Sequence, residues 1–274
     1  MSEDKVSLTE FKQGATQPQP GEVGYLPPAA LVPLPSLGKV YAAGTALAMA
    51  ETLQIRAMTA RDEDVLTSRG LLKSGKAIDT LLKGCMIDRS IDTDSMLSGD
   101  RNAALIAIRI TGYGQQYKVK VQCPACDETI EHEFDLATLP VKRLGLEPIQ
   151  AGVNEFLFRL PACNKDVTFK LFTGADEREL STLLDRTKKV GAGVDGLVTT
   201  RLLQQVISLG GERDRTKLAG IIRNLPARDS RDLRKFVDTI SPGVEMKQTL
   251  VCEKCNEESE VDVPMGTEFF WPGS

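Results

Sequence analysis

The sequence predicts an α+β fold in which a helical block lies between two small β units and an extended arm precedes both. Three observations predict this fold. A proline-rich apolar run lies near the N-terminus, two matching strand–turn–strand segments carry Cys-x-x-Cys pairs, and helical periodicity fills the stretch between about 175 and 240. The chain has 274 residues, 41% of them hydrophobic and 26% charged, which is typical of a globular protein.

These patterns divide the chain into five segments. They are an extended Pro-rich N-terminal arm (1–40), a mainly helical segment (41–116), a first knuckle with a β hairpin (117–173), an inserted helical block (174–245), and a second knuckle with an aromatic C-terminal tail (246–274).

The arm continues from a polar start into GYLPPAALVPLPSLGKVY, which contains four prolines. Proline fixes φ and lacks an N–H donor, so this segment is predicted to be extended rather than helical. Its apolar side chains need burial that an extended segment cannot supply to itself. Two interpretations remain open: the arm packs on its own protein, or it lies across a neighbouring subunit. In the second case Leu31, Leu34 and Tyr41 would contact the partner.

The mainly helical segment is predicted from local signals. TARDEDVLTSRGLL places Thr59 as a capping residue before acidic side chains in a first helical turn. A second helix is predicted in KAIDTLLKGCMI, because Ile78, Leu82 and Cys85 recur at helical spacing. AALIAIRITGYG fits either a helix or a strand, and a helix is favoured for its first half.

Strand patterns follow and later return. QQYKVKVQC and TIEHEFDL alternate between apolar and polar residues, and NEFLFRLP and KDVTFKLFT predict a hairpin turning at PACNK. Four successive helices are then predicted, the last capped by Asp229 or Ser230. They are DERELSTLLDRTKK, LVTTRLLQQVISL, RTKLAGIIRNL and DSRDLRKFVDTI. KQTLVC and SEVDVPM again have strand patterns.

Two Cys-x-x-Cys pairs carry the strongest chemical signal. VKVQCPACDETIEHEFDL and QTLVCEKCNEESEVDVPM repeat one pattern, in which a strand leads into the pair and an acidic strand follows it. Two such knuckle hairpins facing each other would form a zinc-ribbon-like unit, with four thiolates arranged in a tetrahedron. The predicted ligands of one structural zinc ion are Cys123, Cys126, Cys252 and Cys255. Loop-closure cost grows only logarithmically with length, so the long separation of the pairs does not oppose this prediction.

Other interpretations of the cysteines stay open. A redox Cys-x-x-Cys pair, two disulfides or a metal-free cluster would use the same residues, although a redox pair requires a following helix rather than a strand. His132 could replace one ligand. Cys85 lies on an apolar helix face and is predicted to be a buried thiol, whereas Cys163, in PACNK, has no partner that the sequence identifies.

Composition argues against several functions. The net charge of -4 and the absence of a basic stripe argue against binding to nucleic acid. No apolar run reaches the roughly 20 residues that cross a bilayer, and the polar start MSEDKVSLTEFKQG does not fit a secretory signal, so a reducing cytosol is expected. GAGVDG, at 191–196, follows a helix rather than a strand and is interpreted as a connection. With one histidine and no nucleophile motif, the sequence does not predict an enzyme.

A family resemblance agrees with this interpretation. The motifs that carry it are, in order, LPSLGKVY, IRAMTARDEDVL, GDRNAALIAIRITGYG, CPAC, the LP before KDVTFKLFT, CEKC and FFWP. Across roughly residues 31–272 the chain resembles the T-even-type bacteriophage baseplate protein family. The resemblance implies a hub or hub-assembly component of a contractile tail, assembled in the host cytoplasm, present in the virion, and in contact with other tail proteins and with copies of itself.

The aromatic tail is the remaining candidate contact. Phe269, Phe270 and Trp271 would either pack on the protein's own core or dock into a neighbouring subunit. Two other functions remain as alternatives to the baseplate component. They are a zinc-ribbon adaptor that binds polymerase or nucleic acid, and a Cys-x-x-Cys thiol oxidoreductase.

Overall fold

The computed structural model describes residues 6–7, 13–14, 29–189, 196–265 and 267–270. Within them the protein is a mixed α/β structure of eight α-helices and small antiparallel sheets. The helices are α1 (Ala60–Thr67), α2 (Arg69–Lys73), α3 (Ala77–Cys85), α4 (Ser98–Tyr113), α5 (Gly174–Lys189), α6 (Leu197–Gln205), α7 (Arg215–Arg223) and α8 (Ala227–Ile240). The strands are β1 (Val6–Ser7), β2 (Gln13–Gly14), β3 (Ala29–Pro33), β4 (Thr52–Arg56), β5 (Gln116–Gln122), β6 (Thr129–Asp135), β7 (Pro140–Lys142), β8 (Phe156–Arg159), β9 (Asp166–Phe169), β10 (Val206–Leu209), β11 (Gly243–Val244), β12 (Lys247–Val251) and β13 (Glu258–Asp262).

The strands pair into five small sheets. Two are isolated hairpins, β5–β6 and β12–β13, and the other three have the orders β1-β7-β11, β10-β9-β8 and β2-β3-β4. In β5 every second side chain is buried, which is the alternation that its sequence predicts. The hairpin predicted around PACNK is also confirmed, because β8 and β9 pair antiparallel with Arg159 opposite Asp166.

The predicted helix starts are partly confirmed. Helix α1 begins after Thr59 with a capping box, in which the Asp62 carboxylate accepts the Thr59 backbone N–H at 2.8 Å. Arg56 also donates to Asp62, at 2.6 Å, and ties the end of β4 to the helix. Helix α4 extends through the whole segment that was predicted to be helical only in its first half. It ends where Gly114 takes a φ of 84°.

Two predicted boundaries in the helical block are wrong. The sequence VISL, predicted as the end of a helix, forms β10 and pairs with β9. Its β-branched residues lose side-chain freedom in a helix but pack well in a sheet that is already present. Helix α8 begins at Ala227 with Pro226 as its N-cap residue, not at Asp229 or Ser230. The Asp229 carboxylate instead bonds to the turn between β8 and β9.

One continuous core joins these elements, and the described part of the arm belongs to it. After β3, Leu34 is fully buried, and the chain then turns back toward β4. Two glycines permit close backbone packing here and at α4. Gly38 has a φ of 67°, and a side chain on Gly99 would place its Cβ 1.9 Å from the Pro242 carbonyl oxygen.

Candidate metal centre

Both Cys-x-x-Cys pairs lie in the turn of an isolated hairpin. Cys123 directly follows β5 and Cys252 directly follows β12, while β6 and β13 follow the two turns. The sequence repeat is therefore a structural repeat. Since a strand and not a helix follows each pair, neither pair has the helix N-terminus that lowers the pKa of a thioredoxin-type thiol.

The two turns share one hydrogen-bond pattern. In the first, the Cys123 amide donates to the Glu128 carbonyl and the Asp127 amide donates to the Cys123 carbonyl, both at 2.9 Å. The second turn repeats these bonds at 3.0 and 2.8 Å. The fifth residue of each turn, Asp127 or Asn256, has a φ of 58° or 57°. Asp and Asn adopt this left-handed conformation more readily than other residues with side chains, so the local sequence favours the turn.

Four sulfur atoms from the two hairpins converge. The Sγ atoms of Cys123, Cys126, Cys252 and Cys255 all lie within 4.8 Å of one another. Between hairpins, Cys123 Sγ is 3.8 Å from Cys255 Sγ, and Cys126 Sγ is 3.8 Å from Cys252 Sγ. A disulfide requires about 2 Å between its sulfur atoms, and all four of these cysteines are free, so the structure does not match the disulfide alternative. A tetrahedron with Zn–S bonds of about 2.3 Å has edges of about 3.8 Å, which matches the two separations between the hairpins.

The electrostatics of the cluster also suit a cation. Backbone amide hydrogen bonds from Cys255 and Lys254 lower the pKa of the Cys252 thiol to about 7. The backbone nitrogen of Lys254 lies 3.4 Å from the Cys252 sulfur. An amide hydrogen bond likewise favours the Cys126 thiolate, but burial and the neighbouring thiols outweigh it and raise the pKa to about 12. Adjacent thiolates repel one another, so a cation held among them would allow all four to ionise together.

Packing outside the sulfur atoms also holds the hairpins together. The Tyr117 hydroxyl on β5 donates to the carbonyl of Pro264, just after β13, at 3.0 Å. Phe269 is fully buried, and its ring meets the Tyr117 ring edge-on at 5.1 Å between centroids. The segment after the second knuckle therefore folds back onto the first hairpin.

The structure places His132, the other two cysteines and the glycine-rich segment outside the cluster, so far as it describes them. Among the described residues, the convergent set of ligand atoms does not include His132, whose ring contacts Phe134 on β6 at 4.6 Å. Cys85 is fully buried on α3, where burial raises the pKa of its thiol to about 12. Cys163 lies in the β8–β9 turn, and its backbone amide donates to the carboxylate of Asp229. Of the GAGVDG segment, residues 191–195 lie outside the described residues.

Most of the predicted partner contacts lie inside the protein. Leu34, Tyr41, Phe269 and Phe270 are buried in its own core, which corresponds to the interpretation that the arm and tail pack on their own chain. Leu31, on β3, is half-buried. Trp271 lies outside the described residues. At the four buried positions, the side chains complete the protein's own core, and this explains why they are largely apolar.

A buried carboxylate cluster went unrecognised in the sequence. The Asp100 carboxylate accepts the Ser36 hydroxyl at 2.6 Å and the Tyr41 hydroxyl at 2.5 Å, and Tyr41 in turn accepts the Leu97 amide at 3.0 Å. Burial raises the pKa of Asp100, against these hydrogen bonds. The two hydroxyl donors belong to the motif LPSLGKVY, and the carboxylate belongs to GDRNAALIAIRITGYG. Their pairing across about sixty positions has no sequence signature.

The fold and the site together define the class of protein. The chain is a mixed α/β protein in which two distant knuckle hairpins bring four cysteines together as a possible metal site. The chain belongs to the family described as T4 bacteriophage base plate protein, whose family model matches residues 31–271. It is thus a structural component of a phage tail baseplate, and the resemblance predicted from its motifs is confirmed. Neither the curated proteins nor the solved structures include a match to it. No helix among the described residues is both long and apolar enough to cross a membrane.

Proposed function

We propose that this chain is a hub or hub-proximal component of a contractile tail baseplate, and that one zinc ion held by its four clustered cysteines closes its fold. The observation that carries the proposal is the convergence of sulfur atoms from hairpins 126 positions apart, in a chain of the baseplate family. Family membership supports other phage tail proteins as the partners and the virion tail as the location.

The donor set supports a structural ion. Four thiolates would fill all positions of a tetrahedral zinc ion and leave none open to a substrate, as in structural zinc sites. The sulfur separations support the same geometry. The ion would join the β5–β6 hairpin to the β12–β13 hairpin and so fasten both ends of the chain that runs through α5 to α8. The protein then acts through contacts with other proteins rather than as a catalyst.

The five segments 1–40, 41–116, 117–173, 174–245 and 246–274 remain our proposed division of the chain. We also propose that it associates with copies of itself and assembles in the host cytoplasm. Leu31 and Trp271 remain direct candidate contacts. Leu34, Tyr41, Phe269 and Phe270 would support an interface from beneath, because they are buried. The acidic net charge of -4 argues against nucleic acid as the partner.

Complementation of a phage that lacks this chain tests the proposal. Wild type, Cys252→Ala and Cys163→Ala are supplied in turn, and purified particles are examined by mass spectrometry, electron microscopy and elemental analysis. We expect the wild-type chain in tails, with one zinc per chain. Cys163→Ala should give the same result as the wild type, because the sulfur that it removes lies outside the cluster. Cys252→Ala should lose the zinc and yield few complete baseplates.

Two results would overturn the proposal. If tails form normally without the chain and it is absent from particles, it is not a baseplate component. Purified protein that carries no metal, with all four thiols reacting rapidly before any chelator is added, would refute the zinc ion. Salt-sensitive retention on DNA would instead favour the adaptor alternative.

A further inference from the structure

A third turn resembles the two cysteine turns. The sequence of the β8–β9 turn is LPACN, at 160–164, against CPACD at 123–127 and CEKCN at 252–256. Leu160 takes the place of the first cysteine and Cys163 that of the second. Like the first cysteines, Leu160 directly follows a strand and is fully buried. The spacing, the flanking strands and the burial of the first position are therefore common to all three hairpins.

The backbone of this third turn shares two features with the cysteine turns. The Leu160 amide donates to the Lys165 carbonyl at 2.9 Å, the bond that both cysteine turns make at the equivalent positions. Its fifth residue, Asn164, has a φ of 54°, against 58° and 57° in the cysteine turns. Three hairpins far apart in the chain thus share one closing hydrogen bond and a left-handed fifth residue, although the third has only one cysteine.

The difference lies in what the turn's amide groups bind. In the second knuckle the amides of Lys254 and Cys255 form hydrogen bonds with the Cys252 sulfur. In the third turn the amides at the same two positions donate to the Asp229 carboxylate. The Ala162 nitrogen lies 2.7 Å from Asp229 Oδ1 and the Cys163 nitrogen 2.9 Å from Asp229 Oδ2. One anionic acceptor has taken the place of another.

We infer that the β8–β9 hairpin is a third knuckle, in which the carboxylate of Asp229 accepts the two turn amides that the Cys252 sulfur accepts in the second knuckle. Asp229 is a positioning residue. It is fully buried in the first turn of α8, and its two hydrogen bonds hold the start of that helix against the hairpin. The helical block therefore has a second attachment to a β hairpin, and this attachment needs no metal.

Asp229 does not cap its own helix, because its carboxylate is turned toward the hairpin. Pro226 is the N-cap residue instead. The two kinds of turn should therefore respond to different perturbations. Chelation should affect the turns at 123–127 and 252–256, whereas loss of the Asp229 charge should affect the turn at 160–164. The inference holds whether or not the four-cysteine cluster binds zinc.

Hydrogen exchange of the full-length protein, purified with its metal, tests the inference. In Asp229→Asn we expect the amides of Ala162 and Cys163 to exchange about ten- to a hundredfold faster, as loss of hydrogen bonds to a charged group predicts. The turns at 123–127 and 252–256 should exchange as in the wild type. Asp232→Asn is the matched control. It removes an aspartate of the same helix whose bonds, among the residues that the structure describes, are to neighbouring arginines of that helix.

A conservative variant covers the case in which Asp229→Asn does not fold. Asp229→Glu keeps the charge but moves the carboxylate by one methylene, so the same two amides should exchange faster than in the control by a smaller factor. The inference is refuted if amides 162 and 163 exchange at the control rate in the variant that folds. It is also refuted if the increase is equal in all three turns, since the carboxylate would then have no special link to the third.

Discussion

Replacement of Cys252 by alanine tests the central physical idea of this protein. Cys252 is fully buried, and its sulfur lies 3.8 Å from that of Cys126, which is 126 positions earlier in the chain. With one of four thiolates missing, we expect zinc affinity to fall and the link between the two hairpins to be lost at ordinary zinc concentrations. The protein should then lose the part of its stability that comes from closing this long loop.

The magnitude follows from the length of that loop. A covalent cross-link that closes about 126 residues would contribute about 5 kcal/mol. An ion that joins the same hairpins contributes a free energy of this order because it binds the folded chain and not the unfolded one. For a protein of 274 residues this corresponds to a fall in melting temperature of roughly 10 °C. Packing between Tyr117 and Phe269 does not depend on the sulfur atoms, so we expect the variant to remain folded at low temperature.

The assay is thermal unfolding followed by circular dichroism, with zinc measured in each sample. Cys163→Ala is the matched control, because it also removes one sulfur atom but lies outside the cluster. The wild type treated with a chelator should approach the melting temperature of Cys252→Ala, and chelator should not change the variant further. Equal zinc content and equal melting temperatures in Cys252→Ala and Cys163→Ala would refute the reasoning.

Three further predictions concern the fold outside the cysteine cluster. Tyr41→Phe should lower the free energy of unfolding by about 1–3 kcal/mol in denaturant titration, because it removes a donor to the buried Asp100 carboxylate; an unchanged value would contradict the hydrogen bond. Gly99→Ala should cost about 3 kcal/mol, since its Cβ would overlap a carbonyl oxygen, whereas the control Gly70→Ala, with nothing within 4 Å, should be neutral or stabilising. Burial opposes ionisation of Asp62, but hydrogen bonds outweigh it and hold its pKa below the ordinary value of 3.8. The stability that ionised Asp62 contributes is therefore present above that value and lost as pH falls through the folded-state pKa. Asp62→Asn should flatten the acid side of the curve of unfolding free energy against pH. A variant curve that runs parallel to that of the wild type would contradict this.

Local patterns predicted most of the individual elements. The capping residues before α1 and the alternation in β5 depend on neighbouring residues, so they are readable in sequence. Both predictions are confirmed. VISL was predicted wrongly because its helical pattern continued from α6, while the β9 edge that it joins is far away in the chain. Likewise, Asp229 has the chemistry of a helix cap, but the partner that it uses is the turn before β9.

The sequence by itself determined the knuckles. The Cys-x-x-Cys repeat, with Asp127 or Asn256 at the left-handed position, specifies the turn because these choices act within five residues. Only the tertiary structure decided two other features. It placed Leu34 and Phe269 in the protein's own core, and it selected the carboxylates that bond to Ser36 and Cys163. Such contacts join residues that are tens to more than a hundred positions apart. Their partners are selected by the packing of the whole chain, which leaves no periodic signal in sequence.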